Sequence, residues 1–332
     1  MVREAPAARP RHPATPRFPD HIEPMLATLG DLPADPDAWA YEFKWDGVRA
    51  LAFWDGRRLT LRSRNGIVIT GRYPELADLG GALRTRAVLD GEIVALDEEG
   101  RPSFHLLQHR MHATPERARL VARRVPAYYF IFDLLHHGDR FVLDREYRDR
   151  RVMLRALSIE HPHVRIPHSV VAHGEETVRA AVANGLEGVV AKRLDSRYTP
   201  GIRSREWVKI KHAAEQEFVI GGWRAREGQP NMIGSLLVGY YDAERRLRYA
   251  GKVGSGFWRG DHEELVARLR PLERPVSPFA DRVPGTARFV APRLVAEVRY
   301  RRWPEGGQVQ QAAYKGLRPE MRPDQVGRER KE

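Results

Sequence analysis

The chain has 332 residues, 42% of them hydrophobic and 30% charged, with a formal net charge of +12 and a pI near 10.1. That length suggests two domains, each large enough for a core of its own. The absence of cysteine excludes disulfides and thiolate zinc sites, and no apolar run approaches the roughly 18 residues of a membrane span. A basic excess of this size points to a polyanionic partner, most simply nucleic acid, and the composition fits a cytoplasmic protein. Of the 56 basic residues only seven are lysines: Lys44, Lys192, Lys209, Lys211, Lys252, Lys315 and Lys331. Where arginine otherwise serves everywhere, a lysine marks a place that wants a compact ammonium or an amine able to lose its proton.

In chain order, residues 1–20 are rich in Pro, Ala and Arg without apolar periodicity and read as a disordered basic arm. Two β-rich runs between Trp39 and Trp54 flank Asp46-Gly47, a pair that favours a tight hairpin turn. This places Lys44 at the end of one strand and Arg49 at the start of the next. Further strands are expected at Leu59–Arg64, Val88–Leu96 and Pro126–Leu135. Phe104–Met111 reads as a helix, with His105, His109 and His112 on a polar face rather than a metal face. Helices follow near Arg145–Leu157 and Glu175–Asn184, then strands at Glu187–Lys192 and Glu206–Lys211. The stretch from His212 to Glu217 reads as a linker, with a domain boundary near residue 214. Short strands with glycine turns at Phe218–Trp223, Ser235–Tyr241, Arg248–Val253 and Leu294–Tyr300, plus a helix near Asp261–Leu269, suggest a small β-barrel of the five-stranded oligonucleotide-binding type.

Chemistry concentrates at few places. At an ordinary pKa of about 10.4 a lysine is almost wholly protonated at neutral pH, so a nucleophilic Lys44 needs positive neighbours or burial. Lys209 and Lys211 share one strand face and are expected to lower its pKa while neutralising phosphate. Glu92 and Glu187 interrupt apolar strands, where a carboxylate is costly unless it meets a cation, a metal or a hydroxyl. A nucleotide site needs acids for both Mg²⁺ and ribose; salt bridges to arginine are the rival account. Phe132 stands in an aromatic strand and either stacks on a base or simply fills the core.

Glu42-Phe43-Lys44-Trp45-Asp46-Gly47-Val48-Arg49 resembles the nucleotidyl-lysine motif of the covalent nucleotidyltransferases, the DNA ligases and mRNA capping enzymes. Ser63-Arg64-Asn65-Gly66, Leu89-Asp90-Gly91-Glu92, Phe130-Ile131-Phe132-Asp133, Glu187-Gly188-Val189-Val190-Ala191-Lys192 and Trp207-Val208-Lys209-Ile210-Lys211 are similar to the later motifs, in order. The barrel segments Glu217–Trp223, Gly234–Gly239 and Tyr249–Phe257 look like ATP-dependent DNA ligases of the bacterial end-joining type. The resemblance spans about Ile22 to Arg322. It departs at the terminal motif, Lys315-Gly316-Leu317-Arg318-Pro319-Glu320-Met321, where Met321 replaces a lysine the family uses near the pyrophosphate.

The resemblance implies an α+β fold: a nucleotidyltransferase domain of antiparallel sheets with flanking helices, resembling ATP-grasp proteins, at 21–213, followed by an OB-fold β-barrel at 214–322 and a flexible tail at 323–332. It implies a stand-alone ligase core that uses ATP and Mg²⁺ or Mn²⁺ and seals breaks in duplex DNA through Lys44-AMP. Glu42 is expected at the adenine edge, Phe132 stacked on adenine and Glu92 at the ribose. Arg49 and Arg64 belong at ribose and phosphates, and Arg205, Lys209 and Lys211 around the α-phosphate. Glu187, Glu92 and Asp46 are the expected metal ligands, and Lys315 and Arg318 the contacts from the terminal motif. The expected partners are nicked or broken duplex DNA and an end-binding ring protein. The expected state is a nucleoid-associated monomer without a membrane. An RNA ligase or capping enzyme, and a non-enzymatic single-strand-binding protein, are the alternatives.

Overall fold

The computed structural model describes residues 18–111, 113–211, 214–258 and 260–329. Most of the expected basic arm, His112 and the last three residues lie outside the described residues. In chain order the first unit contains β1 (Leu26–Leu29), β2 (Trp39–Phe43), β3 (Val48–Trp54), β4 (Leu59–Ser63), β5 (Ala87–Ala95), α1 (Phe104–Met111), α2 (Pro115–Ala122), β6 (Ala127–His137), β7 (Arg140–Phe141), α3 (Tyr147–Ala156), β8 (Val164–Arg165), β9 (Val170–Val171), α4 (Gly174–Ala183), β10 (Gly188–Arg193) and β11 (Arg203–Lys211). These strands form two sheets, one in the order β1-β11-β10-β2-β9 and one in the order β4-β3-β5-β6-β7, with β8 added beside β6.

The alternation of side chains explains how the sheets stack. In β3, Ala50 and Ala52 join Leu61, Leu89, Ile93 and Tyr129 in one core, where Leu107 and Met111 of α1 cover the sheet. Leu51 and Phe53, on the opposite face, pack with Val88, Leu135, Tyr198 and Trp207 between the two sheets. The outer face of the first sheet, with Tyr41, Val189 and Ala191, is covered by Ala181 of α4. Strands β3, β5 and β6 are therefore buried on both faces, which is why they read as nearly continuous apolar runs. Two of the acids inside them, Asp90 and Asp133, are paired with arginine. Asp133 of β6 receives Arg150 of α3 through Nε at 2.8 Å and Nη2 at 2.9 Å, both side chains fully buried. Arg150→Met would leave Asp133 as an unpaired buried charge and is expected to cost on the order of 3–5 kcal/mol. Thermal unfolding should show a melting temperature lower by roughly 10 °C.

The second unit is the expected barrel. It contains β12 (Ala214–Arg226), β13 (Gln229–Tyr241), β14 (Leu247–Val253), α5 (Asp261–Leu269), β15 (Glu273–Arg274), β16 (Arg288–Tyr300) and β17 (Ala313–Leu317). The order is β14-β13-β12-β16-β15, with β17 beside β16 and a parallel bridge from Ser255 to Ala313. Its core joins Phe218, Trp223, Leu236, Val238 and Ala296 to Leu265 and Leu269 of α5. The expected linker is largely absent, because Ala214–Glu217 already belong to β12 and pair with β16. Nor is the tail loose through its described part: Val326 is 3% exposed and Tyr241 N–H donates to its carbonyl at 2.8 Å. Among the described residues no helix is long and apolar enough to cross a membrane.

Candidate active site

Lys44 follows the last residue of β2, and its backbone N–H donates to Gly188 O at 3.0 Å. The expected hairpin does not form. β2 pairs with β10 and β9, whereas β3 pairs with β4 and β5, so Lys44–Gly47 is a crossing between sheets. Gly47 permits that crossing: a Cβ there would lie 2.2 Å from Ile93 O. The crossing sets Lys44 in a cavity between the sheets. It is lined by Glu42, Arg49, Arg64, Glu92, Phe132, Lys192, Trp207, Lys209 and Lys211 of the first unit and by Glu217, Glu297, Arg318 and Met321 of the second.

Glu187 organises the cations. One oxygen pairs with Lys44 Nζ and the other lies 2.7 Å from Lys211 Nζ. Burial alone would raise the Glu187 carboxyl, but the two lysines hold it well below the usual carboxylate range. The expected lowering of Lys44 does not hold in this ligand-free state. Burial and Lys211 both push its pKa down, yet attraction to Glu187 outweighs them and leaves the ammonium more firmly protonated than usual. Lys209 behaves differently: burial pulls its pKa down, although it pairs with Glu329.

The walls supply the other expected residues. Arg49 is fixed by Asp90, with Nε at 2.9 Å and Nη2 at 2.6 Å, and Tyr198 Oη donates to the same carboxylate at 2.7 Å. Asp90, an acid in the middle of a buried strand, is thereby explained. Arg49 lies 5.1 Å from the Phe132 ring centroid. Lys192 Nζ lies 4.3 Å from both the Phe132 and the Trp207 ring centroids, and 2.7 Å from Glu42. Tyr147 Oη also donates to Glu42, so this carboxylate is held from behind with its face to the cavity. Of the expected site residues, Arg205, Glu187 and Lys315 do not line the cavity itself, although Glu187 and Lys315 reach it through Lys44 and Asp46. β11 is irregular against β1 between its pairings at Ser204 and Val208; Arg203 and Arg205 are both exposed, and it is Arg203 that lines the cavity.

The barrel closes the cavity from the other side. Lys315 Nζ reaches Asp46 at 3.1 Å, and Arg318 binds Glu297 at 2.8 Å and Glu320 at 2.6 Å. Met321 is buried among Val219, Leu237 and Val295, with its sulfur 3.8 Å from Arg64 Nη1. Arg64 also meets Glu217 at 3.8 Å. Burial would raise Glu217, but Arg64, Arg318, Lys209 and Lys211 draw it down to about 2.

Carboxylate oxygens of Asp46, Glu187 and Glu297 lie within 4.8 Å of one another, a hard-oxygen donor set that suits Mg²⁺ or Mn²⁺. Asp46 and Glu187 were expected there; Glu92 is not in the group, and Glu297 takes its place. Burial raises Glu297 to about 7 and Glu92 to about 8. Because the folded protein holds Glu92 protonated, it contributes stability that is complete below the ordinary pKa and is lost as pH rises toward 8. Glu92→Gln should therefore melt higher than the wild type at pH 9, by roughly 2–4 °C for about 1 kcal/mol. The two should melt together near pH 4; equal melting at pH 9 would remove the burial argument.

Sequence reasoning did not assign Lys192, Arg203, Glu217, Glu297 or Glu329 to the site. Lys192 had a signal in the scarcity of lysine, and Glu217 and Glu297 in their apolar strand surroundings. Residues 22–211 match the ATP dependent DNA ligase domain family, and residues 229–321 the ATP dependent DNA ligase C terminal region. The chain is 40% identical over 319 residues to the multifunctional non-homologous end joining DNA repair protein LigD of Mycobacterium tuberculosis, covering 93% of this chain and 40% of that protein. The chain thus spans about two fifths of such relatives. It is 39% identical over 259 residues to DNA ligase C1 of Mycolicibacterium smegmatis, covering 76% of this chain and 73% of that one. The structure of mycobacterial DNA ligase D complexed with ATP and MES matches with a TM-score of 0.68 at 40% identity, over 93% of this chain and 99% of that one.

Proposed function

Because this chain belongs to the ATP-dependent DNA ligase family, we propose that it seals 5′-phosphate/3′-hydroxyl breaks in duplex DNA with Lys44 as the residue that carries AMP. The observation that carries this reading is the position of Lys44 in a cavity with two further lysines on one wall and Lys315 and Arg318 brought over it by the barrel. The neutral amine of Lys44 attacks the α-phosphorus of ATP; a P–N bond forms, the P–O bond to pyrophosphate breaks, and the lysine proton is released. An oxygen of the 5′-phosphate at the break then attacks the same phosphorus; a P–O bond forms, the P–N bond breaks, and the Lys44 amine takes up a proton as it leaves. The 3′-hydroxyl attacks that phosphate, forms the phosphodiester and expels AMP.

Charge gathers on phosphoryl oxygens in every step, so the protein acts by positioning and by fixed positive charge. Lys209, Lys211 and Arg203 serve the α-phosphate, and Arg64 serves ribose and phosphate. Lys315 and Arg318 face the leaving pyrophosphate. Glu42 accepts from the adenine edge, Phe132 stacks on the base and Glu92 meets the ribose. A divalent cation held by Asp46, Glu187 and Glu297 would supply further neutralisation of the phosphates. The arginine excess holds the DNA through its phosphates, with little sequence preference. The protein works as a cytoplasmic, nucleoid-associated monomer in end joining, alongside an end-binding ring protein.

Incubation with α-labelled ATP and Mg²⁺ should attach label to the protein, which GTP should not match, and nicked duplex DNA should then discharge it with sealing. Absence of an acid-labile adduct, or equal sealing of nicked RNA duplexes, would overturn the reading.

A further inference from the structure

The segment after the last barrel strand crosses back over the barrel and brings Glu329 to the cavity. Val326 packs in an apolar cluster with Val219, Leu237 and Val295. Gln216 holds the next turn from both sides, donating through Nε2 to Gly327 O at 3.1 Å and accepting from the Glu329 N–H at 3.0 Å. Arg328 lies 4.2 Å from the Trp303 ring centroid and donates to Trp303 O at 3.1 Å and Pro304 O at 3.0 Å. These contacts deliver the Glu329 carboxylate to Lys209, the pair being only 12% and 17% exposed. The second carboxylate oxygen, Oε2, is buried without a hydrogen-bond partner and lies in the same cation-lined cavity.

We propose that Glu329 is an intramolecular stopper, a carboxylate that occupies the phosphate position on Lys209 and must leave before a nucleotide triphosphate can bind. The inference rests on the reading that this cavity takes ATP. A carboxylate and a phosphate oxygen seek the same ammonium donors, and one ammonium in a narrow cavity cannot serve both at full strength. The strap through Val326, Gly327 and Arg328 keeps the stopper at high effective concentration without closing the site permanently. Apparent affinity then falls by the fraction of molecules left open: a stopper seated in nine molecules of ten raises half-saturating ATP about tenfold. The device makes loading of Lys44 depend on the ATP level, and any partner that lifts the strap would sharpen loading.

Two variants of the full chain separate this from a general effect of charge. Glu329→Gln removes the stopper, and Arg328→Ala loosens the strap while removing a cation. The ATP concentration for half-maximal labelling of Lys44 should fall about tenfold in the first and about threefold in the second. Through-space electrostatics predicts the opposite sign for Arg328→Ala, because losing a cation weakens anion binding. Calorimetric titration with inorganic tripolyphosphate should show the same two increases in affinity. Unchanged half-saturation and tripolyphosphate affinity in Glu329→Gln, or weaker binding in Arg328→Ala, would overturn the stopper. If the wild type never labels at Lys44, the ligase reading fails, and the tripolyphosphate titration still decides whether Glu329 blocks an anion site.

Discussion

Lys44→Ala is expected to abolish transfer of label from ATP to the protein, a loss of at least about 10⁴-fold, because on the proposed reading no other amine takes over the attack. Lys192, Lys209 and Lys211 line the same cavity, but they stand on β10 and β11, whereas Lys44 stands on the crossing between the two sheets. The variant should nevertheless seal a nick that already carries AMP on its 5′-phosphate. There the attacking group is the 3′-hydroxyl, and the cavity still supplies its cations. Gel separation of sealed from adenylated strands reads both activities in one experiment. Loss of both, in a variant whose melting temperature is unchanged, would make Lys44 a phosphate ligand rather than the carrier. Equal labelling of the variant would remove Lys44 from the mechanism.

The pH profile of Glu187→Gln is expected to differ from the wild type in two directions at once. Only the neutral amine attacks, and Glu187 raises the pKa of Lys44 in the free protein. The second-order rate constant for labelling, which reports the free enzyme, should therefore climb with pH through the whole range 6–9 in the wild type. Removing the carboxylate removes the cause of the raised pKa, so the rising limb moves to lower pH and a larger fraction of Lys44 is neutral at pH 7. The maximum rate should fall about 10²–10³-fold, because the same side chain belongs to the donor set with Asp46 and Glu297. Rapid-quench labelling across pH measures both effects. A limb that stays in place would show that Glu187 does not govern the proton on Lys44.

The same residues show how far local information reaches. Asp46-Gly47 carries the chemistry of a tight turn, and a turn signal identifies where a chain bends but not which strands it joins. Whether β2 pairs with β3 or with β10 is settled by packing against α4 and the second core, far away in sequence. The Lys44 pKa is raised rather than lowered for a related reason. The nearby lysines were visible as a strand pattern, whereas Glu187, 143 residues distant, had no assigned partner until the fold brought the two together. The family resemblance put Arg205 at the α-phosphate, whereas Arg203, two residues earlier in β11 and next to the break in its pairing with β1, is the one that lines the cavity. Glu92 and Glu297 both interrupt apolar strands, so burial marked each as costly, but only the approach of the barrel decides which one joins Asp46 and Glu187.

Composition and motif order by themselves determined that a scarce lysine stands at the head of a series of nucleotidyltransferase-like motifs and that two domains follow one another, and they pointed to a polyanionic partner. These are properties of residue type and short spacing, which the chain carries whether folded or not. Tertiary structure alone decided the charge state of that lysine, the identity of the third acid beside it, and the seating of a tail carboxylate on Lys209. Each of those depends on the distance between groups far apart in sequence, and the energy of a buried charge is fixed by the partners it meets at a few ångströms.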